Sequence, residues 1–203
     1  MKILTNHRYA LITGIVLALV LSYCLHATLV PDSEFNHLAL ARWVHIVAGV
    51  FWIGLLYYFN AVQVPGLADA AADKGGPGGA GITKYVAPRA LFWFRWAALV
   101  TWVAGAWLLD KRFVDAFTLS LLMDAVDYQT VVIGIGAWLG TIMLFNVWGL
   151  IWPNQKKILG FKPATDEEKV KARKVALYAS RANFILSIPM LLCMAATSHG
   201  LPI

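Results

Sequence analysis

Five long runs of apolar residues, separated by shorter polar stretches, dominate the pattern of this chain. Each run is close to the roughly 20 residues that an α-helix needs to cross about 30 Å of hydrocarbon. The pattern predicts spans at about residues 10–30, 38–62, 90–109, 131–152 and 176–198. The first run follows basic residues, as in a signal peptide, but it is too long for the apolar part of one, so we expect a permanent transmembrane anchor.

A sixth stretch, about residues 113–128, mixes apolar clusters with aspartates and is predicted to be an interfacial helix. Composition agrees with a membrane protein: 60% of the residues are hydrophobic, only 14% are charged, and the mean hydropathy is +0.66. A soluble domain has a very different balance. The sequence therefore predicts an all-α integral membrane protein, a single domain over residues 1–203 with about five transmembrane helices and one interfacial helix.

The basic residues alternate between loops in a way that predicts the orientation in the membrane. They concentrate before the first run, after the second and, most strongly, between Lys156 and Lys174. Lys and Arg favour the cytoplasmic side, so we expect a bacterial inner membrane protein with a cytoplasmic N-terminus and a periplasmic C-terminus. Because the net charge of +6 is explained by anchoring to the bilayer, it does not indicate a nucleic-acid partner.

Two local signals predict how helices begin and pack. Thr165 and Glu168 have the spacing of a capping box, so the last helix is expected to start there, before its apolar part. Gly136 and Gly140, with Gly134 nearby, form a stripe of small residues that favours close packing of the fourth helix on a neighbour.

An arginine and a histidine interrupt the second apolar run, in the stretch ARWVHIVAGVFWIGL. On an α-helix, Arg42, His45, Gly49 and Trp52 fall on one face. The predicted orientation puts His45 about 10 Å below the outer surface, given the helical rise of about 1.5 Å per residue. His199 and His26 lie near the same outer surface, at the ends of the fifth and first runs.

Histidines from different membrane helices can hold the iron of a b-type haem at its axial positions. We expect His45 to be one iron ligand and His199 the other, with His26 as the competitor for the second position. Gly49 would make room for the macrocycle, Trp52 would border it, and Arg42 would pair with a propionate. In the structural alternative, His45 hydrogen-bonds a neighbouring helix and His199 is a hydrated terminal residue. Cys24 and Cys193 form no CxxCH motif, so a covalent haem c is not encoded.

A second polar layer is predicted nearer the cytoplasmic side. It consists of Arg95, Asn146, Arg181 and Asn183, with Asn60 at a similar height. Charged residues in spans usually face the protein interior, a cavity or the interface. These residues could line a pocket for an anion, a quinone or the propionates of another cofactor, or both arginines could extend to nearby lipid headgroups.

Four stretches of the sequence, in this order, carry a family resemblance: RWVHIVAGVFWIG, KYVAPRALFWFRWAALVTWVAGAWLL, FNVWGLIWPNQKKIL and SIPMLLCMAATSHGLP. They are similar to the membrane domain of the urate oxidase N-terminal family, of the urate hydroxylase type. The resemblance implies a bundle of membrane helices with a redox role, joined in full-length members to a cytochrome c domain. It implies that His45 and His199 are the histidines of interest and that Arg42, Trp52 and Lys84 match motif positions.

The chain also departs from that family pattern. It contains no CxxCH, which indicates a short form without the cytochrome c domain, and Ala97 stands where the resemblance implies an acidic residue. The sequence therefore predicts a membrane electron-transfer protein or subunit with a b-type haem near the outer side. A periplasmic cytochrome c or another redox protein would be its partner, beside the lipid bilayer. The alternatives are a urate hydroxylase-like membrane oxidoreductase and a haem-free accessory subunit of a larger membrane complex.

Overall fold

The structure, a computed structural model, describes residues 2–30, 34–123 and 125–202. Of the described residues, 84% are helical and none lies in a β-strand. Five helices are long and apolar enough to cross a membrane: α1 (His7–Leu29), α2 (His37–Ala72), α3 (Ile82–Phe117), α4 (Tyr128–Ile158) and α5 (Asp166–His199). The predicted all-α, multi-pass membrane fold is thus confirmed. All five helices are longer than the predicted spans, and α2 to α5 exceed them by about two turns or more.

The chain divides into two units, one ending at His37 and one beginning at Leu38. The first unit contains a short helix, Lys2–Thr5, and α1. The Asn6 side chain caps α1 by accepting a hydrogen bond from the backbone N–H of Arg8 at 2.9 Å. No residue of α1 is buried, and the helix is apolar on every face, which suits a membrane anchor better than a core helix.

The second unit packs the remaining helices around a core in which α4 and α5 are the closest neighbours. Its most buried side chains include Trp52, Leu56, Phe94, Met143 and Val147. The predicted capping box is confirmed: Thr165 accepts from the backbone of Glu168, whose carboxylate accepts in return, and α5 begins at Asp166. It then continues without interruption to His199.

The predicted glycine stripe is confirmed at two of its three positions. A Cβ atom on Gly134 would come within 2.1 Å of the Ala116 carbonyl oxygen, and one on Gly136 within 3.0 Å of Cys193 Cβ. Gly140 has open space instead. The glycines therefore let α4 approach the end of α3 on one side and α5 on the other.

Three of the long helices change to π-helical geometry for about one turn, over Phe59–Gln63, Ile82–Val86 and Asn146–Ile151. A proline follows each segment, as the second residue of the next α-helical part; these are Pro65, Pro88 and Pro153. Proline has no N–H for the carbonyl four residues before it, and its ring clashes with that carbonyl. Each such carbonyl lies in the π-helical segment, so the wider turn accommodates the proline without breaking the helix.

Only the first part of the predicted interfacial segment is helical. Phe113–Phe117 forms the last turn of α3, turns follow over residues 118–122, and α4 begins at Tyr128. Residue 124 lies outside the described residues. The position of this segment at a membrane interface stays a prediction.

Candidate functional site

His45 lies on α2 and is joined to α3 by a hydrogen bond. Its Nδ1 is 2.8 Å from the backbone carbonyl oxygen of Thr101. Because a carbonyl oxygen can only accept, Nδ1 must carry the proton and donate it. In neutral His45, Nε2 is then left with a free lone pair, which is the form of imidazole that binds a metal.

Gly105, one turn further along α3, lies against the imidazole ring of His45. A Cβ atom at this position would be 2.9 Å from Cε1 and 3.0 Å from Nδ1 of His45, which is closer than real Cβ contacts. The absence of a side chain at Gly105 therefore lets the ring reach the α3 backbone. The hydrogen bond and the glycine together fix both the tautomer and the position of His45.

The other predicted residues on this face of α2 have different surroundings. Gly49 faces α3, since a Cβ atom there would be 3.8 Å from Thr101 Cγ2, an ordinary contact distance. Trp52 is only 2% exposed, and its Nε1–H is buried without a hydrogen-bond partner among the described residues. Arg42 is exposed. The face thus passes from a charged, exposed end through a half-buried imidazole to a core indole.

The register between α2 and α5 places His199 at the height of His45. A hydrogen bond of 3.2 Å joins the hydroxyls of Ser187 and Tyr57, which fixes these two antiparallel helices side by side. Twelve residues separate Tyr57 from His45, and twelve separate Ser187 from His199, so both histidines lie about 18 Å from this contact at about 1.5 Å per residue. His199 is exposed at the end of α5. His26 belongs to the first unit, so its role as a competing ligand stays a prediction.

The predicted second polar layer separates into two parts. Asn146 on α4 donates from Nδ2 to Asn183 Oδ1 on α5 at 2.8 Å, and Asn183 Nδ2 donates to the Met143 carbonyl at 2.9 Å. Asn183 is fully buried, and these bonds satisfy both ends of its amide. Interhelical bonds of this kind hold membrane helices together, so the amide pair joins α4 to α5.

The two arginines of that layer lie apart from the amide pair. Arg95 stacks on the indole of Trp152, with Cζ 3.9 Å from the ring centroid, and Arg181 is exposed on α5. Asn60 donates to Ser180 Oγ at 2.9 Å, but its buried Oδ1 has no partner among the described residues.

Sequence reasoning did not identify Thr101, Gly105 or Trp152. The carbonyl of Thr101 carries no side-chain signal at all, because any residue type provides one. Gly105 lies between two alanines in WVAGAWLL, a run of small residues whose only available signal is that something bulky must pack against it. The described residues contain no group of three or more His, Cys, Asp or Glu side chains that could hold a metal ion. A haem needs fewer protein ligands than that.

Residues 116–202 match the family model described as urate oxidase N-terminal, which confirms the family resemblance for this part of the chain. The match covers α4, α5 and the last two residues of α3; it includes His199, Asn146, Arg181 and Asn183. His45 and the rest of α2 lie before it. No curated protein and no solved structure matches the chain significantly.

Proposed function

We propose that this protein is a membrane redox protein that binds a b-type haem through Nε2 of His45. The observation that supports it most directly is the hydrogen bond from His45 Nδ1–H to the Thr101 carbonyl. Histidines that bind metals usually donate their other ring N–H to a backbone carbonyl or a carboxylate, which fixes the tautomer and raises the basicity of the ligand. His45 has this arrangement inside a membrane span, where an unused imidazole would be costly.

The donor set around His45 fits a haem with two axial histidines. Haem iron, when bound, would accept and release one electron at a time. Within the chain, Gly105 leaves room for the imidazole of His45, whose Nε2 would be the ligand atom. His199, at the end of α5, lies at the same height as His45. Arg42, one turn nearer the exposed end of α2, carries the charge that would pair with a propionate.

Absorption spectroscopy of the purified protein tests this proposal. Soret and α bands that sharpen on reduction are expected, and His45→Ala should abolish them. His7→Ala is the matched control, since His7 lies at the start of α1, and it should leave the spectrum unchanged. A folded protein that stays colourless, also after titration with hemin, would rule out the proposal and favour the accessory subunit.

The second axial ligand is tested by two further variants. His199→Ala should convert a six-coordinate low-spin spectrum to a five-coordinate high-spin one, while His26→Ala should have no effect. The reverse result would assign the second position to His26. Retention of the low-spin spectrum in both variants would exclude each of them.

Electron exchange would take place on the side where α2 begins and α5 ends, which we place in the periplasm of a bacterial cell. Support comes from the lysines between Lys156 and Lys174, which lie at the opposite end of the second unit. Fusions at the C-terminus should give active alkaline phosphatase and dark green fluorescent protein. Reduced protein should pass electrons to an added soluble cytochrome c, and the His45→Ala variant should not.

The family match supports a second candidate, a urate hydroxylase-like oxidoreductase. In that case the matched region, with Arg181 on α5, would contribute to the substrate site together with Arg95. Turnover of urate with cytochrome c as acceptor, lost on Arg181→Gln, would favour the enzyme. Binding of haem without urate turnover would leave electron transfer as the function.

A further inference from the structure

Two cations lie close to the indole ring of Trp152, at the lysine-bearing end of the second unit. The guanidinium carbon of Arg95, on α3, is 3.9 Å from the ring centroid. Lys156, one turn after Trp152 on α4, has its Nζ 5.9 Å from the same centroid. Arg95 also lies over Phe92, with Cζ 5.2 Å from that ring. Both positive charges thus lie within 6 Å of the centre of the Trp152 ring.

These two cations have no anionic partner in the described part of the chain. Ion pairs there involve other residues; the nearest along the chain joins Lys157 to Glu168 at 3.5 Å. Within the described residues, Arg95 makes a single hydrogen bond, from Nη1 to the Leu91 carbonyl at 3.3 Å. A guanidinium has five N–H donors, so most of them remain available. Neighbouring lysines thus differ: Lys157 is neutralised within the protein and Lys156 is not.

The residues around the pair have the composition typical of a membrane interface. At Trp152 the sequence of α4 changes from apolar residues to Pro153, Asn154 and the lysines. Tryptophans favour the interface between the hydrocarbon and the headgroups. Next to Arg95 on α3, the side chains of Phe92 and Trp96 are 46% and 43% exposed. A ligand that contacts the cations would therefore also contact an apolar aromatic surface.

We propose that Arg95 and Lys156 bind the phosphate group of an anionic phospholipid. The planar guanidinium of Arg95 would donate two parallel N–H bonds to the phosphate. Lys156 would supply a second positive charge. The exposed rings of Phe92 and Trp96 would contact the acyl chains. A zwitterionic lipid is disfavoured because its ammonium group would meet two cations, and a small soluble anion would leave the aromatic surface uncovered. Basic pockets beside transmembrane helices recognise anionic headgroups by this combination.

Native mass spectrometry with added phosphatidylglycerol tests the proposal. Arg95→Gln and Lys156→Gln should each weaken the binding of the first lipid by about tenfold, since each removes a charge-assisted bond. Their matched controls are Arg181→Gln, an exposed arginine on α5, and Lys157→Gln, whose lysine is already paired. The controls should stay within about twofold of the wild type because surface charges without a bound partner contribute little. Arg95→Lys keeps the charge but loses the planar guanidinium, so its affinity for the first lipid should lie between those of the wild type and Arg95→Gln.

Three results would overturn this proposal. Equal weakening by Lys156→Gln and Lys157→Gln would mean a diffuse attraction to a basic surface. Phosphatidylcholine that binds as tightly as phosphatidylglycerol would remove the role of the negative charge. Inorganic phosphate that displaces the lipid and gives the same thermal stabilisation alone would assign the residues to a soluble anion. Circular dichroism checks that the variants fold, and if Arg95→Gln does not, Lys156→Gln against Lys157→Gln decides the outcome.

Discussion

Gly105 of α3 and His45 of α2 are in direct contact, and the space between them is too small for a methyl group. The same contact brings the imidazole within hydrogen-bond distance of the Thr101 carbonyl, one turn before Gly105. A residue without a side chain therefore determines where the proposed iron ligand lies. This makes Gly105 a positioning residue that can be changed without removing any donor atom.

Replacing Gly105 with alanine should lower the stability of the protein. In an open helical position the change would stabilise by about 1 kcal/mol, but here the new Cβ would displace the His45 ring, at a cost of about 1–3 kcal/mol. If haem is bound, its spectrum should also shift. Gly54→Ala is the control, since Gly54 is exposed on α2 with nothing near its Cβ position. Thermal unfolding in detergent measures the stability of both variants. Equal rises in melting temperature for Gly105→Ala and Gly54→Ala would contradict the role of Gly105 in positioning His45.

The five spans could be read from the sequence because each apolar run must satisfy its backbone hydrogen bonds within one helix in the bilayer. The π-helical turns were also encoded, by Pro65, Pro88 and Pro153, although the span prediction did not use them. What the sequence could not provide was the pairing between helices. The glycine stripe marks a packing face of α4, but nothing in the pattern says that Gly136 meets α5 and Gly134 meets the end of α3.

At the candidate site, too, the sequence predicts the polar residue but not its partners. The polarity of His45 stands out in an apolar run, so sequence reasoning could select it. Its partners Thr101 and Gly105 are 56 and 60 residues away, and neither differs chemically from its neighbours in a way that points to a histidine. Likewise Arg95 was noticed as a charge in a span, but its stacking on Trp152 depends on the register between α3 and α4, which only the structure provides.

Asn183 should be the amide on which the packing of α4 against α5 depends most. Replacing it with leucine removes the bond from Asn146 and the bond to the Met143 carbonyl. We expect a loss of about 1–2 kcal/mol in the free energy of unfolding, the usual size of interhelical polar bonds in membranes. Asn154→Leu is the comparison, because Asn154 bonds only to Leu150 of its own helix. Titration with sodium dodecyl sulfate measures the difference, and similar losses in both variants would argue against the interhelical role.

Asp127 should make the start of α4 sensitive to acid. Its carboxylate accepts a hydrogen bond from the Thr130 side chain, which holds the pKa of Asp127 below its ordinary value. The backbone N–H groups of Gln129 and Thr130 and the charge of Arg112 act in the same direction. Because the folded-state pKa is lowered, this stabilisation is present above the unfolded pKa of about 4 and is lost as pH falls through the folded value.

The test compares the wild type with Asp127→Asn. Asparagine caps a helix about as well as aspartate, so the variant keeps the cap but loses the charge and one of the two acceptor oxygens. The melting temperature of the wild type should exceed that of the variant at pH 7, and the two should converge in acid, below the lowered pKa of Asp127. Asp69→Asn, at the exposed end of α2, is the comparison variant for the change of residue type. If the difference in melting temperature between the wild type and Asp127→Asn persisted in acid, the charge of Asp127 would not be the cause of the stabilisation.

Gly134 and Gly140 lie on the same helix and allow packing to be separated from helix propensity. A Cβ on Gly134 would lie 2.1 Å from the Ala116 carbonyl oxygen, whereas none of the surrounding atoms is within 4 Å of one on Gly140. Gly140→Ala should therefore raise the free energy of unfolding by up to about 1 kcal/mol. Gly134→Ala should lower it by about 2–3 kcal/mol, because a backbone oxygen cannot turn aside as a side chain can. Since both changes add the same methyl group to α4, the difference between them measures the contact with the end of α3. If Gly134→Ala were neutral, the last turn of α3 would have to move freely, and the bond from Trp138 Nε1 to the Phe117 carbonyl would be lost with it.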